Sequence, residues 1–349
     1  MKTLHVNIPG REYDIYIENG ILGRAGSIIK EIINPCKAAI VTDSNVNPLY
    51  GEILSGSLIK EGFTVCNIEI PAGEQSKCKE QLFGIYDKML EFGITRTDVV
   101  IALGGGVVGD ITGYAASSLL RGIPYIQIPT TLLAQVDSSV GGKVAIDLPR
   151  GKNLVGAFYQ PKAVIIDPRC LNTLTDRVLS DGMAEVIKYG AIRDAELFKT
   201  LEKIKNRDEL IAKSEEIIYN CCRIKSQVVE KDEFDTGERM ILNFGHTFGH
   251  GIEKQYNYET YTHGEAVAAG MVMACRFGEK TGLTDSETTE RMIKILKNFN
   301  LPTEIPISSE ELKNAVKVDK KGEGNILNLI LIEEIGKVCI KKTEKAELT

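Results

Sequence analysis

The sequence predicts an α/β domain with a mostly parallel sheet, followed by a helical domain. Short β-branched runs closed by turn residues fill the chain up to about residue 167, and helical patterns such as residues 79–92 alternate with several of them. From about residue 174 onward, apolar residues recur three and four positions apart. The first pattern is typical of βαβ units and the second of amphipathic helices. With 349 residues, 43% of them hydrophobic, the chain has enough apolar material for two cores.

Each strand or helix is predicted from one of these two patterns. Strands are predicted at residues 4–8, 13–17, 38–42, 64–70, 99–103, 125–128, 144–146 and 163–166. Helices are predicted at residues 79–92, 111–120, 183–198, 209–230 and 265–280. The pattern changes from strand-like runs to helical spacing between residues 168 and 175. This change predicts two domains, residues 1–170 and 171–349.

Charge and cysteine usage exclude several classes of protein. The formal net charge is −6 and no basic tract occurs, which argues against a nucleic-acid partner. Eight cysteines are scattered without a CxxC pair, which fits reduced thiols better than a disulfide framework. The N-terminus has no apolar signal region, and no run of about 18 apolar residues occurs. We therefore expect a cytoplasmic protein that binds neither nucleic acid nor membrane.

A glycine-rich turn, Gly104-Gly-Gly-Val-Val-Gly-Asp110, follows one predicted strand and precedes a helix-like stretch. Bare backbone in such a turn can approach a pyrophosphate, and the helix N-terminus offers free N–H groups. No acidic residue follows the next strand, so Asp43 and Glu74 are the acids that could hold ribose hydroxyls. The turn predicts dinucleotide binding on a variant frame, although such turns also occur for structural reasons alone.

A string of hydroxyl, amide and lysine side chains among glycines follows this turn, at residues 121–124, 129–134, 136–143 and 151–154. A polyhydroxylated, phosphorylated ligand needs donors and acceptors for each hydroxyl and a cation for each phosphate. Any one segment could equally be a solvated loop. The glycines favour a ligand, because they permit close backbone approach.

Three of the four histidines fall between residues 246 and 263. If residues 241–254 are helical, His246 and His250 lie one turn apart on one face, and His263 follows. Imidazoles concentrated in this way indicate a divalent transition metal. Helical spacing alone pairs His246 with His250 on the ion.

A carboxylate from elsewhere in the helical half would complete such a site. Glu185 lies in an apolar helical stretch, where an ionised side chain needs a partner. Lys188, three residues on, could be that partner without any metal. Thr247 follows the first histidine, so the HExxH pattern of zinc proteases is absent. Two imidazoles and a carboxylate with an open position would polarise substrate hydroxyls.

Six segments together resemble the 3-dehydroquinate synthase family of sugar-phosphate cyclases. In order, they are residues 104–110, 129–143, 151–157, 182–188, 242–250 and 263–265, which span nearly the whole chain. The resemblance implies an N-terminal Rossmann-like NAD-binding domain, a C-terminal all-helical metal-binding domain and a homodimer. It also implies NAD and a divalent metal, zinc or cobalt, as cofactors.

The resemblance implies roles residue by residue. It places the metal on Glu185, His246 and His263 and leaves His250 as an active-site group that does not bind the ion. The implied NAD-binding residues are Asp43, Ala72, Gly73, Glu74, Gln75, Ser76, Lys77, Gly105, Gly106, Val107, Val108, Gly109, Asp110, Thr130, Thr131, Lys143, Lys152, Cys170, Leu171, Asn172 and Thr173. The implied substrate-binding and catalytic residues besides His250 are Asp137, Lys152, Asn153, Lys188, Lys225, Arg239, Asn243, Lys320 and Arg121 of the partner subunit.

The family's reaction converts 3-deoxy-D-arabino-heptulosonate 7-phosphate to 3-dehydroquinate and phosphate, in the shikimate route to aromatic amino acids. It implies transient oxidation by NAD, β-elimination of phosphate, re-reduction, ring opening and an intramolecular aldol closure. Three alternatives stay open. One is a metal-dependent polyol dehydrogenase, which would leave net NADH. Another is a cyclase acting on glucose 6-phosphate or sedoheptulose 7-phosphate, and the third is a non-catalytic nucleotide or metal sensor.

Overall fold

A computed structural model describes residues 1–308, 311, 326–344 and 347, which group into two compact units. The first unit comprises Met1–Leu174 and Lys213–Glu233, and the second comprises Thr175–Ala212 and Phe234–Thr349. A single division at residue 170 would assign residues 213–233 to the second unit. No helix in the described part of the chain is long and apolar enough to cross a membrane.

The first unit is built on a sheet that contains seven strands among the described residues, in the order β1-β2-β9-β6-β5-β3-β4. These strands are β1 (Lys2–Val6), β2 (Tyr13–Ile17), β3 (Lys37–Asp43), β4 (Thr64–Ile70), β5 (Val99–Gly104), β6 (Tyr125–Pro129) and β9 (Ala163–Ile166). Neighbouring strands are parallel except at the edge, where β1 runs antiparallel to β2. The predicted mostly parallel sheet is confirmed.

Helices cover both faces of this sheet. They are α1 (Ala25–Ile32), α2 (Glu52–Lys60), α3 (Lys79–Phe92) and α4 (Gly106–Ser118). Ile40 and Ile101 belong to the core cluster that contains α1 and α2 residues, whereas Val41 and Val100 belong to the cluster that contains α3 and α4 residues. Successive strand residues point to opposite faces, and both faces are buried, which explains the continuous apolar runs in the sequence.

A separate antiparallel hairpin joins β7 (Lys143–Leu148) to β8 (Gly151–Phe158). The sequence predicts only the first of these strands, because β8 is largely exposed and carries glycine, lysine and asparagine instead of a buried apolar face. Much of the polar string at residues 151–154 is therefore strand.

The second unit is mainly helical. Its helices are α5 (Asp176–Arg193), α6 (Ala195–Glu202), α8 (His246–Gln255), α9 (His263–Lys280) and α10 (Ser286–Asn298), while α7 (Arg207–Lys231) is shared between the units. The unit also contains an antiparallel hairpin of β10 (Ile326–Glu334) and β11 (Lys337–Glu344), which the sequence pattern does not predict. The expected all-helical domain is therefore mainly, and not entirely, helical. The predicted helix at 183–198 is divided at Asp194, whose Oδ1 accepts a hydrogen bond from the Leu197 N–H (2.9 Å) and caps α6.

The α7 segment that groups with the first unit is tied to the sheet's loops by polar contacts. The Lys225 ammonium lies 2.5 Å from the Asp137 carbonyl oxygen and 3.0 Å from its carboxylate. The buried Cys222 thiol donates to the Gln135 carbonyl oxygen at 3.2 Å. Helical periodicity does not reveal such long-range contacts, so the sequence alone places this segment with its neighbours in the chain.

Close packing of α9 against α5 and against the turn before α8 depends on glycines. A Cβ added at Gly270 would lie 2.1 Å from the Gly245 carbonyl oxygen, and one at Gly264 would lie 2.0 Å from the Asp181 carbonyl oxygen. These are backbone atoms, which cannot move aside as the tip of a flexible side chain can. Gly245 itself has φ +80° where α8 begins, a conformation that favours glycine. The helix therefore begins at His246 and not at residue 241.

We expect Gly270→Ala to destabilise the protein, because the new methyl group would push α9 away from the turn before α8. The loss in free energy of unfolding should be near the upper end of about 1–3 kcal/mol, the usual range for overpacking. Gly84→Ala in α3 is the matched control, since a Cβ there meets nothing within 4 Å. Replacing that glycine should leave stability unchanged or raise it by up to about 1 kcal/mol. Equal urea midpoints for the two variants would contradict this packing.

Candidate active site

A buried ion pair on α5 begins the site in the second unit. Glu185 and Lys188 are 0% and 1% exposed, and the lysine ammonium donates a hydrogen bond to Glu185 Oε2. The partner predicted for Glu185 from its i+3 spacing is therefore present. The other carboxylate oxygen, Oε1, lies 3.6 Å from His246 Nε2 and 3.6 Å from His263 Nε2. One carboxylate thus faces a lysine and two imidazoles.

The N-terminus of α9 is built to hold His263, its first residue. Thr262 and Glu265 form a capping box, in which the Thr262 N–H donates to Glu265 Oε2 at 2.9 Å. Arg177 clamps the same carboxylate with two hydrogen bonds of 2.8 Å. Asp181 on α5 accepts the Gly264 N–H at 2.6 Å. Contacts from α5 and from within α9 therefore fix the helix end that carries His263.

His246 and His250 lie one turn apart on α8, as predicted, and their ring centroids are 5.3 Å apart. The donor atoms of Glu185, His246 and His263 all lie within 4.8 Å of one another, and a second such group joins His250, Glu253 and His263. Two donors bound tetrahedrally to one zinc ion at about 2.1 Å lie about 3.4 Å apart. The 3.6 Å separations in the first group match that value, and a carboxylate with two imidazoles is a donor set that zinc accepts.

The two imidazoles of this group have different electrostatic surroundings. Burial, reinforced by the Lys188 ammonium, holds the pKa of His246 well below its ordinary value, so its ring is neutral with a free lone pair at pH 7. Burial alone would also lower the pKa of His263, but hydrogen bonding with Glu185 and Glu253 outweighs burial and raises it well above the ordinary value. Together the acids favour a cation at this position.

A small open pocket adjoins the histidines. Its lining consists of Met240, Asn243, His246, Thr247, His250, Leu327 and Asn328. Arg239 lies next to Met240 in a 3₁₀ turn and is 3% exposed. The structure thus places Lys188, Arg239, Asn243 and His250, all predicted to act on substrate, in the same unit as the three predicted metal ligands.

The predicted dinucleotide residues of the first unit follow the carboxyl ends of its parallel strands. Asp43 ends β3, residues 72–77 follow β4, residues 105–110 follow β5, Thr130 and Thr131 follow β6, and residues 170–173 follow β9. Parallel strands end at one edge of their sheet, and ligands of open α/β sheets bind at that edge. Residues far apart in the chain therefore meet at the position expected for a nucleotide.

The glycine turn at this edge is tightly packed. A Cβ at Gly104 would lie 2.6 Å from the Val108 side chain, and one at Gly109 would lie 2.7 Å from Gln127 Oε1. The fold itself therefore favours glycine at position 104, beside a stiff β-branched side chain, whereas the Gln127 side chain at position 109 is flexible. The adjacent Thr130 hydroxyl is buried and has no hydrogen-bond partner among the residues the structure describes. A bound ligand could supply that partner.

Lys77 connects several predicted residues. Its ammonium lies 2.5 Å from Asp110 Oδ2 and donates to Asn153 Oδ1, and Lys152 lies 3.5 Å from Glu74. Burial would lower the pKa of Lys77, but the carboxylates of Asp110 and Glu74 outweigh it and raise the pKa above its usual value. The lysine therefore stays charged at neutral pH, beside the glycine turn.

Several other predicted NAD-binding residues make contacts within the fold itself. Asp43 Oδ1 accepts the N–H groups of Asn45 and Val46, which leaves its second oxygen for other contacts. Cys170 and Leu171 are buried, and burial raises the pKa of the Cys170 thiol to about 12. The Thr173 hydroxyl pairs with Tyr50 at 2.7 Å.

Three predicted residues remain to be placed. Lys143 begins the β7–β8 hairpin and is exposed. Arg121 is exposed and, like Leu120, has a positive φ, of 69° and 52° respectively. Two successive non-glycine residues in this conformation cost energy and often mark functional sites. Lys320 lies outside the described residues.

Sequence reasoning does not identify Glu253, Asp181 or Arg177. Glu253 carries a local signal, because it lies three residues after His250 on one helical face. Thr262 and Glu265 match the capping-box pattern S/T-x-x-E, so the structural role of Glu265 can be read from the sequence. Asp181 and Arg177 are identified only by their contacts with α9.

Two family models and several known proteins match this chain. The family model for the N-terminal part of 3-dehydroquinate synthase matches residues 67–181, and the model for the C-terminal part matches residues 182–322. The chain is 52% identical over 348 residues to 3-dehydroquinate synthase of Clostridium acetobutylicum, covering 99% of this chain and 98% of the relative. It is 45% identical over 346 residues to the Enterococcus faecalis OG1RF enzyme of that name, covering 99% and 97%.

Solved structures of sugar-phosphate cyclases share the whole fold. A 2-deoxy-scyllo-inosose synthase complexed with carbaglucose-6-phosphate, NAD+ and Co2+ superposes with a TM-score of 0.90 at 26% identity, covering 99% of this chain and 98% of the other. ValA, a 2-epi-5-epi-valiolone synthase from Streptomyces hygroscopicus with NAD+ and Zn2+ bound, gives 0.88 at 28% identity, covering 96% and 94%. Schizosaccharomyces pombe glycerol dehydrogenase, at 17% identity, covering 96% and 86%, gives 0.63 and shows the fold alone.

These matches span almost the full length of the chain and of its relatives. The predicted combination of a Rossmann-like first domain and a helical second domain is confirmed by the cyclase structures. The chain belongs to the 3-dehydroquinate synthase family.

Proposed function

We propose that this protein is a carbon–oxygen lyase that converts 3-deoxy-D-arabino-heptulosonate 7-phosphate to 3-dehydroquinate and phosphate. The observation that carries the proposal is the Glu185, His246 and His263 donor set, in a chain about half identical to curated synthases over nearly its full length. Membership of the 3-dehydroquinate synthase family supports this reaction over that of a dehydrogenase or a sensor. The donor set supports a dependence on a divalent metal. The proposal makes the reaction a step of aromatic amino acid biosynthesis.

The proposed cofactors are NAD and a zinc or cobalt ion. Glu185, His246 and His263 would hold the metal, supported by their 3.6 Å separations and by the neutral His246 ring. When bound, the metal would supply Lewis-acid polarisation of vicinal hydroxyls and NAD a transient hydride acceptor. The related cyclase structures, which contain NAD+ with Co2+ or Zn2+, support this choice.

NAD would be held by residues at the carboxyl edge of the sheet. Gly105, Gly106 and the first turn of α4 offer backbone N–H groups to a pyrophosphate. The second Asp43 oxygen, Oδ2, accepts neither of the two N–H groups bound by Oδ1 and suits a ribose hydroxyl, and the Thr130 hydroxyl is an available polar contact. The remaining proposed contacts are Ala72, Gly73, Glu74, Gln75, Ser76, Lys77, Val107, Val108, Gly109, Asp110, Thr131, Lys143, Lys152, Cys170, Leu171, Asn172 and Thr173.

The protein's own residues would mainly bind and orient an anionic substrate. Buried Arg239 and Lys188 offer a fork of donors and an ammonium, which suit a carboxylate and a phosphate. His250, one turn from a proposed ligand, would move a proton at a substrate hydroxyl. Holding one pose throughout lowers the barrier of an intramolecular aldol step. Asp137, Lys152, Asn153, Lys225, Asn243 and Lys320 complete the proposed substrate set.

The proposal includes a cytoplasmic homodimer. All eight cysteines are free thiols in the structure, which supports a reducing compartment. The exposed, backbone-strained Arg121 supports a role outside its own subunit's fold, and we assign it to the active site as Arg121 of the partner subunit. The net charge of −6 and the lack of a basic tract in the sequence argue against a nucleic-acid partner.

The rival cyclase substrates can be separated by their charge, because glucose 6-phosphate and sedoheptulose 7-phosphate lack the heptulosonate carboxylate. A site with a buried cation for that carboxylate should discriminate by about 10⁴-fold in kcat/KM, since the wrong substrate leaves the cation unpaired. Phosphate release from the three substrates measures this ratio. Arg239→Met should lower kcat/KM most for the heptulosonate, whereas Lys152→Met should lower it for all three. Equal kcat/KM values in the wild type would refute the assigned substrate.

A further inference from the structure

His263 has a carboxylate on each side of its ring. Its Nε2 lies 3.6 Å from Glu185 Oε1, and its Nδ1 lies 3.5 Å from Glu253 Oε1. Glu253 is on the last full turn of α8 and is only 4% exposed. Burying a carboxylate costs several kcal/mol by order of magnitude unless it is paired. The His263 imidazole at 3.5 Å is one partner that offsets this cost for Glu253.

His246 shows the same arrangement with a different acceptor. Its Nδ1 lies 3.2 Å from the Phe244 carbonyl oxygen, while its Nε2 faces Glu185 Oε1 at 3.6 Å. A neutral imidazole has one N–H donor and one lone pair. In both rings an oxygen faces Nδ1 and Glu185 Oε1 faces Nε2. With a metal bound, the oxygen at Nδ1 would keep the proton on that nitrogen and leave the Nε2 lone pair for the ion. Metal-binding histidines in proteins generally have such a partner at the other nitrogen.

We propose that Glu253 is a positioning residue that fixes the ring orientation and tautomer of His263 for metal binding through Nε2. This inference rests on the proposed metal site formed by Glu185, His246 and His263. Glu253, His250 and His263 also form a compact donor group. That group would require the metal at Nδ1 of His263 and would leave the matched Nε2 pair of His246 and His263 unused. The assignment therefore treats Glu253 as an outer partner and not as a ligand.

The test is the Co2+ affinity of the full-length protein, measured by competition with a chelator of known affinity. Glu253→Gln keeps the size of the side chain but removes its charge, and we expect a loss of about 10- to 100-fold, the usual effect of an outer partner. Glu253→Asp, which restores a carboxylate, should recover part of that loss. Glu259→Gln is the matched control, because it removes an exposed carboxylate six residues away and should leave the affinity unchanged.

The visible spectrum of bound Co2+ separates positioning from ligation. At saturating Co2+ the spectra of the wild type and Glu253→Gln should coincide, because the three ligands are unchanged. A shifted spectrum would make Glu253 a ligand and overturn the inference, as would an affinity equal to that of the wild type. Nitrogen NMR of histidine-labelled, zinc-loaded wild type should show a protonated Nδ1 on His263, and a metal at Nδ1 would contradict the proposal. Failure of the wild type itself to bind Co2+ tightly would refute the metal site and this inference with it.

Discussion

His246→Ala will abolish tight metal binding and turnover, while His250→Ala will retain the metal and turn over more slowly. The two histidines share one face of α8 and lie a single turn apart, so each variant makes the same change on the same helix face. His246 belongs with Glu185 and His263 in the group whose separations match a tetrahedral ion, whereas His250 belongs to the competing group with Glu253.

A His246 variant distinguishes between the two candidate donor groups, whereas a His263 variant does not. His263 is shared by both groups, so His263→Ala should remove the metal whichever group holds it. The loss for His246→Ala should exceed the about 100-fold upper effect of removing an outer partner, because an inner ligand disappears. Bound zinc per subunit after dialysis, and steady-state phosphate release, measure the two effects. Metal lost from His250→Ala but kept by His246→Ala would show that the ligand assignment is wrong.

Lys188→Met will destabilise the protein by about 3–5 kcal/mol when metal is chelated, because it leaves the fully buried Glu185 carboxylate without its ammonium partner. The loss should be smaller in the presence of zinc, since a cation held by Glu185 offsets the missing positive charge. Urea unfolding with a chelator and with saturating zinc gives the two values. The comparison therefore tests the role of Glu185 without relying on activity.

Two further variants make the comparison specific. Replacing both partners, Glu185→Met with Lys188→Met, should recover most of the stability, because neither charge of this pair is then buried without the other. Lys199→Met breaks an i,i+3 pair with Glu196 that is more than half exposed, and it should leave the urea midpoint unchanged. A Lys188→Met variant as stable as the wild type under chelation would contradict the view that this ion pair offsets the burial of Glu185.

The spacing of apolar residues makes much of the fold predictable, because those residues form the buried cores. The strand runs around Ile40, Val100 and Ile126 are apolar on both faces because helices cover both sides of a parallel sheet, and that pattern is unambiguous. β8 is not predictable in the same way, because it pairs only with β7 and exposes glycine, lysine and asparagine. The break at Asp194 is hidden because apolar periodicity continues across it, and only the capping contact with Leu197 reveals it.

The site shows the same division between local and long-range information. Glu185, His246 and His263 carry sequence signals, yet helical spacing alone pairs His246 with His250 and cannot bring in residues from α5 or α9. The contact of Glu253 with His263 crosses from one helix to the next, and no local pattern encodes it. The family resemblance implies the proposed ligand set, while the contacts of Asp181, Arg177 and Glu253 are seen only in the structure.

The most direct test of the proposed activity follows phosphate and NADH in one reaction. The zinc-loaded protein is incubated with NAD and 3-deoxy-D-arabino-heptulosonate 7-phosphate, and inorganic phosphate is recorded together with the absorbance of NADH. We expect one phosphate per substrate consumed, no lasting NADH, and loss of turnover with a chelator that added zinc reverses. Steady accumulation of NADH on a simple polyol, with no phosphate released from the heptulosonate, would contradict the proposed function.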